Sequence, residues 1–88
     1  MPPYELKFAA SAERMLARLP EFAAAAIVEF VTGPLLDNPR RVGKPLGLEL
    51  SGYHSARRGA YGVIYRVEDD RFVRVVRIDH RADVYRHR

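Results

Sequence analysis

The stretch Tyr53-His54-Ser55-Ala56-Arg57-Arg58-Gly59-Ala60-Tyr61-Gly62-Val63-Ile64-Tyr65-Arg66-Val67 decides the fold. Tyr61, Val63, Tyr65 and Val67 recur at every second position, the period of a β-strand that buries one face. Gly59-Ala60 permits a tight turn, and residues 53–58 supply the other arm of a hairpin. Glu68-Asp69-Asp70 is a second, polar turn. Residues 72–78 then alternate Phe72, Arg74, Val76 and Ile78 against Arg71, Val73, Val75 and Arg77. Aliphatics on both faces of that strand suit a position inside a sheet.

Upstream the period changes. Tyr4, Leu6 and Phe8 alternate with Glu5 and Lys7, which predicts a short strand over residues 4–8. Ser11 offers an N-cap oxygen, Glu13 falls in a first turn, and Leu16 and Leu19 stand three apart, predicting a helix over about 12–19. Pro20 ends it and can begin the next, whose stripe of Phe22, Ala23, Ala26, Ile27, Phe30 and Val31 reaches Thr32 before the break at Gly33-Pro34. Asp37-Asn38-Pro39 and Gly43-Lys44-Pro45 predict an irregular connection. The expected order is β-α-α-β-β-β, an α+β domain over residues 1–88. A two-helix hairpin packs on one face of a mostly antiparallel four-stranded sheet.

Eighty-eight residues leave room for one modest core. The absence of Cys excludes disulfides, thiolate zinc sites and a cysteine nucleophile, and three His do not readily make a metal site, so no metal or cofactor is expected. Neither a signal peptide nor a run long enough to cross a bilayer is evident, so the expectation is a cytoplasmic protein without membrane association. The bases are 13 Arg and 2 Lys, and they are unevenly placed: residues 1–39 carry a net −2, residues 40–88 a net +6. An anionic partner belongs with the second half.

Guanidinium groups present planar paired donors to phosphate oxygens and stack on bases. An open sheet face with Arg among Tyr53, Tyr61 or Tyr85 therefore points to a phosphodiester with unpaired bases. GC-rich coding DNA also favours Arg over Lys, so the positions matter more than the total.

Several motifs, in this order and spacing, resemble the RelE/ParE superfamily of toxins. They are Gly43-Lys44-Pro45-Leu46; Leu50-Ser51-Gly52-Tyr53 running on to Tyr61; Val63-Ile64-Tyr65-Arg66-Val67; and the closing Ile78-Asp79-His80-Arg81-Ala82-Asp83-Val84-Tyr85-Arg86. The opening Tyr-x-Leu-x-Phe and the hairpin ending in Gly33-Pro34-Leu35-Leu36-Asp37-Asn38-Pro39 fit as well, closest to actinobacterial RelE-like members.

The resemblance implies the toxin of a type II toxin–antitoxin pair. RelE-like members cut mRNA in the ribosomal A site through attack of a ribose 2′-hydroxyl, leaving a 2′,3′-cyclic phosphate. An acidic, RelB-like antitoxin neutralises them, and operator DNA is met only through the antitoxin complex. The ParE branch poisons gyrase instead, and a degenerate toxin kept as a binding or autoregulatory partner is a third possibility. Carried over residue by residue, the resemblance makes Tyr85 and Arg81 the catalytic pair of the tail, with Arg57 or Arg58 on phosphate. Lys44, His54, Arg77 and Arg86 become RNA contacts, and His80 joins His54 as a candidate for proton transfer. One position departs from the pattern: the family usually reads Gly-x-Tyr-Arg where this chain has Ala60-Tyr61-Gly62. Arg58, Arg66 or Arg77 would have to supply the missing charge. The acidic antitoxin segment is expected on the basic sheet, because the helical hairpin presents Glu21 and Glu29.

Overall fold

The alternation of Val63, Tyr65, Val73 and Val75 builds the centre of the molecule: all four are fully buried. The computed structural model describes residues 4–80. Chain order is β1 (Glu5–Phe8), α1 (Ala10–Arg18), α2 (Glu21–Thr32), α3 (Pro34–Asp37), α4 (Pro39–Val42), β2 (Lys44–Pro45), a 3₁₀ turn (Leu48–Leu50), β3 (Tyr53–Arg58), β4 (Tyr61–Glu68) and β5 (Phe72–His80). The sheet has five strands in the order β1-β5-β4-β3-β2. It is antiparallel except where β1 runs parallel to β5. The α+β expectation holds, with one strand added to the expected four. The extra strand is the two-residue β2, in the Gly43-Lys44-Pro45 segment expected to be irregular; it pairs Lys44 with Ser55 and Pro45 with His54. A proline is tolerated there because β2 is an edge strand.

Helices cover one face. On α2 the buried positions are Ala23, Ile27 and Val31, four residues apart. Phe22, expected in the same stripe, is 81% exposed. Helix α1 begins at Ala10 with Ala9 as its N-cap, so Ser11 does not cap it; the Ser11 hydroxyl instead donates to the Val76 carbonyl at 3.1 Å, tying α1 to β5. The connection after Thr32 is ordered as two single helical turns, each opened by a proline in its first turn. They bury Leu35, Leu36 and Pro39. The Pro39 carbonyl accepts a hydrogen bond from the Tyr65 hydroxyl at 2.5 Å. Burial pushes the Tyr65 phenol up from its ordinary pKa. Gly43 is required at this junction: a Cβ there would collide with the Tyr65 hydroxyl and come within 3.0 Å of the Ser55 carbonyl.

Turn chemistry fixes the register. Gly59 takes a φ of 62° at the β3–β4 turn. Asp69 and Asp70, at φ 54° and 51°, form the β4–β5 turn, left-handed values that short polar side chains tolerate. The β4–β5 pairing shifts between Ile64 and Tyr65: Ile64 stands opposite Arg77 and Tyr65 opposite Val75. Val76 is therefore an extra residue, and the strict alternation expected for residues 72–78 breaks there. Val73, Val75 and Ile78 are buried, and Arg77 is exposed. No helix among the described residues is long and apolar enough to cross a membrane.

Candidate nucleic-acid interface

With Ala56, Val63, Tyr65, Val73, Val75 and Ile78 on the helix side, the alternate residues form the open face, and register arranges them in crosswise rows. At one end Arg57 stands opposite Gly62, which is opposite Asp79. The next row is Lys44, Ser55, Ile64 and Arg77. Two residues further along, or about 6.5 Å, come Tyr53, Arg66, Arg74 and Lys7, one from each of four adjacent strands.

Four of the cations on this face are held by short contacts. The Arg77 Nε donates to the Asp79 carboxylate at 2.6 Å. Glu68 accepts from Arg66 Nε at 2.5 Å and Arg74 Nε at 2.9 Å, while Arg66 Nη1 donates to the Tyr53 hydroxyl at 2.8 Å. Arg74 first, then Arg66, holds the Glu68 carboxyl below the usual carboxylate range. Lys7 Nζ lies 4.0 Å from the Phe72 ring centroid.

Structure thus separates the residues singled out in the sequence. Arg57, Lys44 and Arg77 share the open face. Arg58, His54 and His80 lie on the helix side: Arg58 pairs with Tyr61, His54 with Tyr65, and Tyr61 with His80. The His54 ring stacks on Tyr65 at 5.5 Å, and its buried Nδ1 has no hydrogen-bond partner among the described residues. His80 packs edge-on against Tyr61 at 5.0 Å. Of the expected base-stacking tyrosines, Tyr53 is on the open face and Tyr61 is not. Arg81, Tyr85 and Arg86 lie outside the described residues. At the position of the missing arginine, a Cβ built on Gly62 meets nothing within 4 Å among the described residues. Of the three arginines considered as substitutes, Arg58 is on the wrong face and Arg66 is held by Glu68 and Tyr53. Arg77, which among the described residues is bonded to Asp79 through Nε alone, and Arg57 remain on the open face.

Sequence reasoning missed the row of Arg66, Arg74 and Lys7. The signal existed, because Lys7 alternates with buried-side Leu6 and Phe8 as Arg74 does with Val73 and Val75. What joins them is the parallel pairing of β1 with β5, which local pattern does not reveal.

A family model described as the ParE toxin of the type II toxin–antitoxin system parDE matches residues 6–85. The chain belongs to this toxin family. Among curated proteins it is 51% identical over 85 residues to Toxin RelG of Mycobacterium tuberculosis, covering 96% of this chain and 98% of that one. It is 53% identical over 85 residues to Toxin RelE of the same organism, covering 96% and 88%. Among solved structures it is similar to a chain of the toxin–antitoxin complex RelBE2 from Mycobacterium tuberculosis. The TM-score is 0.84 at 49% identity, over 90% of this toxin and 99% of that chain. The resemblance expected from the motifs is therefore borne out for family and fold.

Proposed function

We propose that this toxin is a ribosome-dependent mRNA endoribonuclease, held inactive by a cognate antitoxin. The observation that carries the reading is the grouping of Arg57, Lys44 and Arg77 on one open sheet face, around the space at Gly62, in a chain half identical to proteins named RelE and RelG. In the reaction a ribose 2′-hydroxyl loses its proton and its oxygen attacks the adjacent phosphorus. The 5′-oxygen leaves with a proton, and a 2′,3′-cyclic phosphate remains. Negative charge accumulates on the phosphoryl oxygens, where fixed guanidinium donors act most strongly. Arg57 and Arg77 serve that role; an arginine stays protonated and cannot be the base. On the strength of the family resemblance, proton transfer falls to the tail's Tyr85, and Arg81 supplies a further guanidinium charge. The helix-side positions of His54, Arg58 and His80 count against roles for them at the phosphate.

The test is induction of the chain followed by mapping of mRNA 5′ ends. Cuts bearing a 5′-hydroxyl, positioned within the codon held in the ribosomal A site, are expected. Growth arrest with intact mRNA would overturn the reading. An acidic RelB-like segment is the expected antitoxin element, its carboxylates matching the rows of Arg and Lys; the RelBE2 neighbour, solved with its antitoxin, supports such a partner.

Gly62 favours a second reading, a gyrase-directed toxin with no nuclease centre. Inhibition of gyrase supercoiling by the purified chain, with mRNA left intact, would select it.

A further inference from the structure

The open face is not cationic throughout. Between the Arg57 end and the row of Arg66, Arg74 and Lys7 lies a cleft of about 540 Å³. Its walls include Leu50, Tyr53, Ile64 and Val76, with Arg77 and Asp79 at one side. Alternation would put polar residues on the solvent side of such a sheet, yet two β-branched aliphatics stand there. Val76 reaches the cleft through the β5 irregularity, where pairing skips from Arg77 to Val75. Bulges that re-aim a side chain in this way are common beside binding sites. The volume and the mostly apolar lining are those of a small-ligand seat.

The charges around it distinguish one occupant from another. Besides Arg77, already bonded to Asp79, the lining holds the carboxylates of Asp79 and Glu49. Two carboxylates against one guanidinium leave the inside of the cleft net negative, so it does not draw a phosphate into itself. They accept hydrogen bonds from the amino or imino N–H groups of a neutral, flat heterocycle. Cations lie on either side, at Arg57 and Lys44 and at the row of Arg66, Arg74 and Lys7, where the phosphates flanking such a heterocycle would fall.

Resting on the RNA reading above, we infer that this cleft seats one unpaired nucleobase next to the scissile phosphate. Ile64, Val76, Leu50 and Tyr53 form its apolar floor and wall. Asp79 reads the N–H edge of the base and so contributes to sequence preference.

The test needs no cleavage. The full chain is titrated, by fluorescence anisotropy, into labelled eight-nucleotide RNA homo-oligomers carrying 2′-O-methyl groups, and into an abasic backbone of the same length and charge. Base-bearing oligomers should bind about 10-fold or more tightly than the abasic one, the range of a single base–aromatic stack. Ile64→Ser should erase most of that difference while leaving abasic binding unchanged. Leu50→Ser, in the exposed 3₁₀ turn, provides a second variant with little demand on the fold. Asp79→Asn should change the ranking among the four homo-oligomers. Equal binding of base-bearing and abasic strands overturns the seat. So does an undiminished difference in both serine variants, and so does failure of every oligomer to bind, which would leave the cleft to an apolar side chain of a protein partner. Intact mRNA ends in cells would sink the nuclease reading without touching this measurement.

Discussion

The two faces of the sheet are built from the same strands by different rules. On the helix side Val63, Tyr65, Val73 and Val75 exclude water completely, and one polar contact, from the Tyr65 hydroxyl to the Pro39 carbonyl, fixes how α4 closes over them. On the open side the contacts are ion pairs and a cation–ring contact between groups that stay partly wet. Burial makes the first face intolerant of any change in volume, whereas the second can lose a side chain and remain folded, which leaves it available for chemistry. Tyr65→Ala tests that division most severely. It removes a fully buried aromatic and should lower unfolding free energy by about 3–5 kcal/mol, read from urea denaturation of the purified chain. A loss below 1 kcal/mol would mean that this face is not the one that sustains the fold.

Arg57 and Arg58 are adjacent in sequence and belong to opposite faces, so they compare the two rules directly. Arg57→Ala should reduce cleavage by about 10²–10³-fold, as loss of a charge-stabilising donor does elsewhere, with stability nearly unchanged. Arg58→Ala, beside Tyr61 and the exposed Phe22, should leave cleavage within a factor of a few in the same end-mapping assay. Equal losses in both would show that strand alternation does not partition their roles.

The same alternation explains how much was legible in the sequence. Strands β3 to β5, both turns, α2 and the general placement of the helices follow from period and turn residues. The irregularity at Val76 does not, because it inserts one residue into a run whose apolar pattern reads equally well without it. Nor does β2, which at two residues carries no periodic signal. The candidate site was legible by residue type but only partly by side: strand alternation puts the neighbours Arg57 and Arg58 on opposite faces but does not say which of those faces is open. Arg57, Arg77 and Lys44 come together, while His54, Arg58 and His80 fall behind the sheet, since His54 opposite Tyr65 and Arg58 opposite Tyr61 are facts of register. The shared row of Lys7 and Arg74 required a contact between β1 and β5, the longest-range strand pairing among the described residues.

Smaller effects probe the seams between the faces. Gly43→Ala puts a methyl group into the Tyr65 hydroxyl and should cost about 1–3 kcal/mol, the range of overpacked cores, measured by the same denaturation. Gly62→Arg lies on the other face, where its Cβ meets nothing within 4 Å among the described residues, so it should fold at least as well as the parent. It restores a guanidinium between Arg57 and Asp79 and should raise cleavage about 10-fold, equivalent to 1.4 kcal/mol of extra transition-state stabilisation. An unchanged rate would mean that Arg57 and Arg77 already saturate the phosphate.

The weakest effect expected is the pH dependence carried by Glu68. Arg74 and Arg66 keep its carboxyl below the usual carboxylate range, so the folded chain binds this proton less readily than the unfolded chain does. The stabilisation is therefore complete at neutral pH. It is lost as pH falls from the ordinary glutamate value of about 4.3 down through the lower folded one. Glu68→Gln removes the charge at every pH and leaves a hydrogen-bonding side chain of similar shape. The variant should melt slightly below the parent at pH 7, and the two melting curves should converge in acid. Divergence on acidification would mean that Glu68 is not the group the two arginines hold, and the row of Arg66, Arg74 and Lys7 would then lack its organising anion.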